Sequence, residues 1–275
     1  KGLAQIFSIT NQKGGVGKTT TAVNLSASLA ATKRKILLID SDPQGNASMG
    51  CGVDKHDVPL SLYEVLTNRC DINSAIQTGL DCGFDLLPSN ADLTAAEIEL
   101  LDIEDSEFQL KRQLDSLSDT YDFIFIDCPP SLNMLTVNAL VASTGVLVPI
   151  QCEYYALEGL SALMNTIATV AENINPLLTI EGLIRTMYDP RNSLTNDVSD
   201  QLIKHFGDRV YRTVIPRNVR LAEAPSHGLS ALAYDPSSKG AKSYLALAGE
   251  LLRRESVKAE LSKEDSPFYQ EPDLT

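Results

Sequence analysis

Short apolar runs alternate with helical patterns along most of this chain of 275 residues. The runs that predict strands are residues 5–10, 35–40, 84–88, 122–127, 145–151, 179–187 and 210–216. Residues 36–39 and 123–126 are uninterrupted apolar stretches, which are typical of strands buried on both faces of a parallel sheet. Helices between such strands imply right-handed crossovers. The pattern therefore predicts an α/β fold, a doubly wound and mostly parallel sheet of about seven or eight strands flanked by helices.

No linker and no internal repeat interrupts this alternation between residues 1 and 254, so a single domain is predicted there. Residues 255–275 differ in character. Residues 255–263 are expected to extend a helix, and residues 264–275 contain two prolines and four acidic residues. A segment of that composition is expected to be a flexible acidic tail.

The motif that carries the most chemistry is residues 11–20, Asn-Gln-Lys-Gly-Gly-Val-Gly-Lys-Thr-Thr, between a predicted strand and a predicted helix. Its end fits the phosphate-binding pattern G-x-x-x-x-G-K-[ST], although Gln12 stands where the first glycine belongs. In such a loop glycines let backbone N–H groups approach phosphate, the last lysine binds the β- and γ-phosphates, and the next hydroxyl binds Mg²⁺. The 11–20 loop therefore predicts a nucleotide site formed by Lys13, Gly14, Gly15, Val16, Gly17, Lys18, Thr19 and Thr20.

Lys13 is a second cation on the same loop as Lys18. Two ammonium groups repel each other unless a polyanion lies between them. One physical solution is that Lys13 contacts the phosphates of a second subunit, as an arginine finger does in trans. The alternative is a solvated lysine at the edge of the loop.

Carboxylates follow two of the predicted strands. Asp40 and Asp42 stand at the end of residues 35–40, and Asp127 ends the strand at 122–127. Ligands of doubly wound sheets bind at the carboxyl ends of the strands. Asp127 is therefore predicted to hold Mg²⁺, with a strand-end cap as the alternative, and Asp40 is predicted to support Mg²⁺ or Thr19. For both Asp40 and Asp42 turn chemistry is the alternative, because Ser-Asp-Pro-Gln-Gly also favours a turn.

Together these stretches resemble the ParA/MinD family of deviant Walker A ATPases, and most closely its chromosomal ParA (Soj) partition proteins. The resemblance rests on residues 11–20, 40–46, 126–131 and 215–226, and extends to about residue 250. It implies an ATPase with ATP and Mg²⁺ as cofactors, which partitions chromosomal or plasmid DNA. It further implies an ATP-bound sandwich homodimer, nonspecific binding to double-stranded DNA, and a ParB-like partner that stimulates slow hydrolysis.

The resemblance also implies roles for single residues. Lys13, Lys18 and Asp42 would be catalytic, with Asp42 positioning or activating the attacking water. Thr19, Asp40 and Asp127 would bind the metal, Pro216 and Asn218 would contact adenine, and Arg191 and Arg220 would bind DNA.

The chain has a net charge of −13, and this negative charge argues against extensive coating by nucleic acid. The charge is, however, unevenly distributed along the sequence. Residues 183–220 carry seven basic and four acidic residues, so a locally basic face is expected. The alternatives for its arginines are a solvated surface or ion pairs with Asp197, Asp200 and Asp208. Residues 91–120 carry nine acidic and two basic residues, which predicts a solvated helical face or a partner surface.

Two other classes of protein share this type of loop. A MinD-like membrane-associated regulator of the division site needs a basic amphipathic C-terminal helix, whereas here basic and acidic residues are mixed after residue 252. A metal-cluster carrier needs paired cysteines, and none of the five cysteines forms a C-x-x-C pair. With no run of 18 apolar residues and no secretory signal, a cytoplasmic, nucleoid-associated protein without membrane contact is expected.

Overall fold

The computed structural model describes residues 3–264, and within them six parallel strands form one sheet. The strands are β1 (Gln5–Ile9), β2 (Ile36–Asp40), β3 (Asp85–Leu87), β4 (Phe123–Asp127), β5 (Gly145–Gln151) and β6 (Thr179–Thr186). Their order in the sheet is β3-β2-β4-β1-β5-β6. The predicted doubly wound parallel fold is confirmed, but the predicted number of seven or eight strands is too high.

Residues 210–216 do not form the predicted seventh strand. Only the two ends of this segment make isolated bridges, beside β6. Between them the carboxylate of Glu250 accepts hydrogen bonds from the backbone N–H groups of Arg212 (2.8 Å) and Thr213 (2.9 Å). The guanidinium of Arg185 in β6 donates to two carbonyls of the same segment. Because side chains satisfy these backbone groups, the segment does not need a full strand ladder.

Helices cover both faces of the sheet. They are α1 (Lys18–Ala31), α2 (Asn46–Gly50), α3 (Leu62–Leu66), α4 (Ile72–Ala75), α5 (Leu93–Glu99), α6 (Gln109–Leu114), α7 (Met134–Ala142), α8 (Ala156–Asn173), α9 (Ser193–Phe206), α10 (Val219–Glu223), α11 (Ala231–Tyr234) and α12 (Lys239–Glu264). Alternate residues of β4 enter different cores. Phe123 and Phe125 join α1 and α12, whereas Ile124 and Ile126 join α3, α5, α6 and α7. This two-sided burial explains the uninterrupted apolar runs in the sequence.

Helix α12 runs without a break from Lys239 to Glu264 and so includes residues 255–263, which were expected to extend a helix. The predicted acidic tail lies outside the described residues from residue 265 onward. Among residues 3–264 no helix combines the length and the apolar composition that a membrane crossing requires.

Candidate functional site

The predicted site residues meet at the carboxyl ends of the central strands. Strand β1 lies between β4 and β5 and leads directly into the 11–20 loop. Asp40 and Asp127 end neighbouring strands and are partners in the register of β2 and β4. The fold thus brings together, beside one loop, carboxylates that are separated by more than eighty residues of sequence.

The 11–20 loop is shaped by glycine. Gly15 has φ +71° and Gly17 has φ +88°, which places both in the left-handed region that other residues adopt only with strain. Gly17 immediately precedes α1, so the helix begins at Lys18 with its free N–H groups toward the loop. The carbonyl of Val16 accepts a hydrogen bond of 2.6 Å from the hydroxyl of Thr186 at the end of β6, which fixes the loop to the sheet. This geometry is that of an anion-binding loop.

The two lysines of the loop are arranged differently. Lys18 is buried, and its Nζ donates to the carbonyl of Lys13 at 2.8 Å, so that its side chain spans the loop from inside. Burial lowers the pKa of Lys18, while nearby Asp127 acts in the opposite direction. The side chain of Lys13 instead points outward and forms an ion pair with Glu153. Both partners of that pair are about half exposed, at 49% and 45%.

Asp127 and Thr19 are in direct contact. The hydroxyl of Thr19 donates to Oδ2 of Asp127 at 2.8 Å. Oδ1 of Asp127 is fully buried and has no hydrogen-bond partner among the described residues. Burial, followed by the charge of Asp40, raises the pKa of Asp127 well above its usual range.

An unpaired carboxylate oxygen beside a hydroxyl fits Mg²⁺. This ion usually binds one or two carboxylates together with substrate phosphates, and it keeps several waters. Within residues 3–264 no group of three or more histidine, cysteine or acidic side chains is placed to hold a metal ion.

Asp40 is already fully engaged by protein groups. Its Oδ2 accepts from the backbone N–H of Ser48 (2.8 Å) and from its hydroxyl (2.7 Å), and Oδ1 accepts from the N–H of Asp42 (3.2 Å). Burial raises the pKa of Asp40 to about 6. Through these contacts Asp40 anchors α2 and the turn between β2 and α2. Asp40 makes no hydrogen bond to Thr19 in the described structure. Its predicted role at the metal stays a prediction.

Asp42 lies in a tightly held turn, which we call the Asp42 loop (residues 41–45). Its Oδ1 accepts from the N–H of Gln44 at 3.0 Å, and its carbonyl accepts from the hydroxyl of Ser89 at 2.6 Å. The ammonium of Lys55 donates to the carbonyl of Gln44. The predicted turn chemistry is therefore present, and it fixes the carboxylate near the ends of β2 and β4.

Glu153 is a site residue that the sequence interpretation missed. It follows β5 by two residues, and β5 neighbours β1 in the sheet. The residues after these two strands must therefore lie side by side, which puts Glu153 next to the 11–20 loop. The signal was available, because residues 145–151 were predicted as a strand, but the strand order was not known. The exposed side chains of Tyr154 and Tyr155 follow it directly.

A cavity of about 410 Å³ connects the 11–20 loop with the segment at 215–222. Its lining residues include Gly17, Thr20, Thr186, Pro216, Asn218 and Tyr244. Oδ1 of Asn218 is buried and unpaired among the described residues, so it can still accept a hydrogen bond. The fold thus joins the predicted adenine contacts to the phosphate loop. A larger cavity of about 830 Å³, between β6 and α12, contains none of the predicted site residues.

The two predicted DNA-binding arginines are exposed and already paired. Arg191 is 89% exposed and holds Asp189 through two hydrogen bonds of 2.9 and 3.0 Å, which lowers the pKa of Asp189 to about 2. Arg220 contacts Glu223 at 2.8 Å and Asp235 at 3.2 Å. Neither uses the acidic residues that the sequence interpretation considered. Exposed ion pairs are weak, so a phosphate can replace these carboxylates.

A family model described as an AAA domain matches residues 4–180. The sporulation initiation inhibitor protein Soj of Bacillus subtilis is 51% identical over 249 residues, which are 90% of this chain and 98% of that protein. The chromosome partitioning protein ParA of Myxococcus xanthus is 47% identical over 257 residues, 94% of this chain and 91% of that protein.

Solved structures show the same similarity. Cobyrinic acid a,c-diamide synthase from Mycobacterium smegmatis, with a bound ATP analog and magnesium, superposes with a TM-score of 0.82 at 36% identity. The superposition covers 93% of this chain and 97% of that one. The similarity therefore extends well beyond the residues of the family model.

Proposed function

This chain belongs to the ParA/MinD family of deviant Walker A ATPases, and on that premise we propose that it is an ATPase that partitions DNA. The observation that carries the proposal is the contrast between its two loop lysines. Lys18 is bonded inside the 11–20 loop, whereas Lys13 is exposed and paired outside it. The relatives that share 51% and 47% of its sequence are Soj and a chromosome partitioning ParA, which favours partition over the other activities of the fold.

ATP is the nucleotide of the proposed reaction. The N–H groups of the 11–20 loop and Lys18 bind its phosphates, and Asn218 beside Pro216 receives the adenine. Thr19 and Asp127 hold Mg²⁺, with Asp40 behind them. When bound, Mg²⁺ neutralises charge on the phosphoryl group during transfer. Asp42 orients the attacking water, and hydrolysis by the isolated protein is slow.

Dimerisation gives Lys13 its function in this proposal. Two copies bind ATP face to face, and each Lys13 leaves Glu153 to contact the phosphates bound by the other copy. A cation added in this way stabilises charge that develops in the transition state, as an arginine finger does. The catalytic unit is then two chains rather than one.

DNA binding follows from the dimer. One copy with a net charge of −13 and few exposed arginines binds DNA poorly. Two copies double Arg191 and Arg220 on one assembly and gain from effective concentration. In the proposed cycle the ATP-bound dimer binds nucleoid DNA nonspecifically in the cytoplasm. A ParB-like partner then stimulates hydrolysis, and the protein is released from the DNA.

The proposal predicts that DNA affinity depends on the nucleotide. Binding of a random-sequence duplex is measured by fluorescence anisotropy without nucleotide, with ADP and with ATP, each with Mg²⁺. We expect at least about tenfold tighter binding with ATP, because only the dimer presents both sets of arginines. Equal affinity in all three states would contradict the proposal.

Arg220 is expected to contact a DNA phosphate. Affinity falls as salt rises, and in an Arg220→Ala variant the plot of log affinity against log salt should be less steep, by about 1 for each lost phosphate contact. Arg69→Ala is the matched control, because Arg69 is also paired with a glutamate and is 50% exposed against 48% for Arg220. The control should keep the slope of the unmodified protein. An unchanged slope in Arg220→Ala would remove Arg220 from the DNA surface.

A further inference from the structure

Helix α5 and the residues that lead into it contact both segments that carry the acidic residues of the site. Just before it, Ser89 donates its hydroxyl to the carbonyl of Asp42 at 2.6 Å. Within it, Glu97 accepts a hydrogen bond of 2.6 Å from the side-chain amide of Asn133. Asn133 ends the stretch after Asp127, which we call the Asp127 loop (residues 128–133). The segment from Ser89 through α5 thus connects the two loops beside the predicted phosphate site.

The contact with Asn133 matters for the Asp127 loop. Oδ1 of Asn133 caps α7 by accepting from the N–H groups of Leu135 and Thr136, both at 3.1 Å. Glu97 holds the other end of the same amide, so a movement of α5 changes the position of the cap. The apolar face of α5 packs against α7 in one core, which makes the two helices move together.

The outer face of α5 is exposed, and the chain continues from it into a 3-10 turn at Leu100–Asp102. Thr94 and Ile98 of α5 and Leu101 of the turn follow one another at helical spacing, and the two apolar residues Ile98 and Leu101 are 71% and 72% exposed. Leu132, next to Asn133, is 50% exposed. Single exposed apolar residues are common, but a stripe of them indicates a contact surface.

A cavity continues this stripe toward the Asp42 loop. It measures about 400 Å³, and Thr94 lines it together with Gln44, Lys55 and Asn90. A side chain that enters it from the stripe would touch the Asp42 loop directly.

Exposed acidic residues precede and follow the stripe along the chain. Asp92, Asp102 and Glu104 are exposed, and none of them has a salt-bridge partner within residues 3–264. These residues belong to the acidic run at 91–120, which the proposed ATPase cycle leaves without a role. An apolar stripe with an unpaired acidic rim is complementary to a helix that has apolar residues on one face and basic residues beside them.

We propose that this α5 surface, formed by Thr94, Ile98, Leu101 and Leu132 with its acidic rim, binds a basic amphipathic segment of the protein that stimulates hydrolysis. The inference rests on the proposed function, because it gives that partner a docking site. Binding on this surface acts on Asp42 through Ser89, which lies four residues before α5, and on the end of the Asp127 loop through Glu97 and Asn133. Binding of the partner segment at this surface then itself stimulates ATP hydrolysis.

The test uses a labelled synthetic peptide of about 18 residues, in which leucines recur at helical spacing and all other positions are lysine. Its binding to the full chain is measured by anisotropy. An Ile98→Ser, Leu101→Ser double variant should bind it at least about tenfold more weakly, because both anchors are lost. The control is Leu177→Ser with Leu261→Ser, which removes two exposed leucines elsewhere and should bind the peptide as the unmodified protein does.

The acidic rim is tested with equal changes of charge. Asp102→Lys with Glu104→Lys should weaken binding at least about tenfold more than Asp115→Lys with Asp119→Lys, which change the same charge further along the acidic run. Equal losses of binding in the two charge-changed variants would overturn the α5 surface as the site. So would equal binding by the Ile98→Ser, Leu101→Ser variant and its leucine control.

The route from the α5 surface to the nucleotide site is tested by measuring ATP hydrolysis. The peptide should raise the ATPase rate of the unmodified protein, and Glu97→Ala should bind the peptide normally but lose the increase. An increase that survives in Glu97→Ala would overturn this route. The nucleotide dependence of DNA binding is measured on the same samples. If it is present while the peptide does not bind, the α5 surface is rejected and the proposed function stands; if it is absent, the proposed function itself fails.

Discussion

An Asp42→Ala variant is expected to hydrolyse ATP at least about a hundredfold more slowly than the unmodified protein, because a positioned carboxylate that orients or deprotonates water contributes a factor of that size. Asp42 is well placed for this role, since Gln44 and Ser89 fix its turn at the ends of the central strands. ATP binding does not require the carboxylate. Phosphate release and light scattering should therefore show a dimer that forms with ATP and persists.

Asp54→Ala is the matched control for this variant. Asp54 accepts a hydrogen bond from the N–H two residues later at 2.9 Å, as Asp42 does at 3.0 Å. The control loses the same kind of turn contact and the same charge, but Asp54 is exposed and does not follow a strand. We expect a nearly unchanged rate. A rate in Asp42→Ala as high as in the control would show that the carboxylate has no part in hydrolysis.

The second large effect is expected from Lys13→Ala. A cation supplied in trans to a transferring phosphoryl group contributes roughly a thousandfold to the rate, and this variant removes it. Affinity of the monomer for ATP should change little, because Lys18 and the N–H groups of the 11–20 loop remain. Single-turnover hydrolysis and equilibrium binding of a fluorescent ATP analog separate these two effects.

Glu153→Gln distinguishes catalysis by Lys13 from a structural role. The change breaks the ion pair with Lys13 but leaves the lysine in place. Because exposed ion pairs add little to stability, we expect hydrolysis within about threefold of the unmodified protein. If the ion pair itself were what matters, Glu153→Gln would be as inactive as Lys13→Ala.

Much of this architecture could be predicted because its signals are local. The runs at 36–39 and 123–126 show burial on both faces, and both became strands at the centre of the sheet. The 11–20 loop carries its own glycines, and Gly15 and Gly17 adopt the positive φ angles that the motif requires.

The errors and omissions come from contacts between distant residues. The predicted strand at 210–216 failed because Glu250, far along the chain in α12, takes the backbone N–H groups of its middle residues. The ion pair between Lys13 and Glu153 depends on the strand order, which places β5 beside β1. Asp40 stays a predicted metal residue, and what the sequence omitted is that Ser48 engages one of its carboxylate oxygens twice.

The central claim is that Lys13 acts on the nucleotide of the other copy, and mixing two inactive variants tests it most directly. Lys13→Ala keeps Asp42 but lacks the lysine, and Asp42→Ala keeps the lysine but lacks the acid. In a mixed dimer the Lys13→Ala chain receives Lys13 from its partner, so one complete site forms. With equal amounts and random pairing, hydrolysis should return to roughly one quarter of the unmodified rate, since half of the dimers hold one working site of two. No recovery above the two separate variants would contradict the account, because it would place Lys13 and Asp42 on the same chain of each working site.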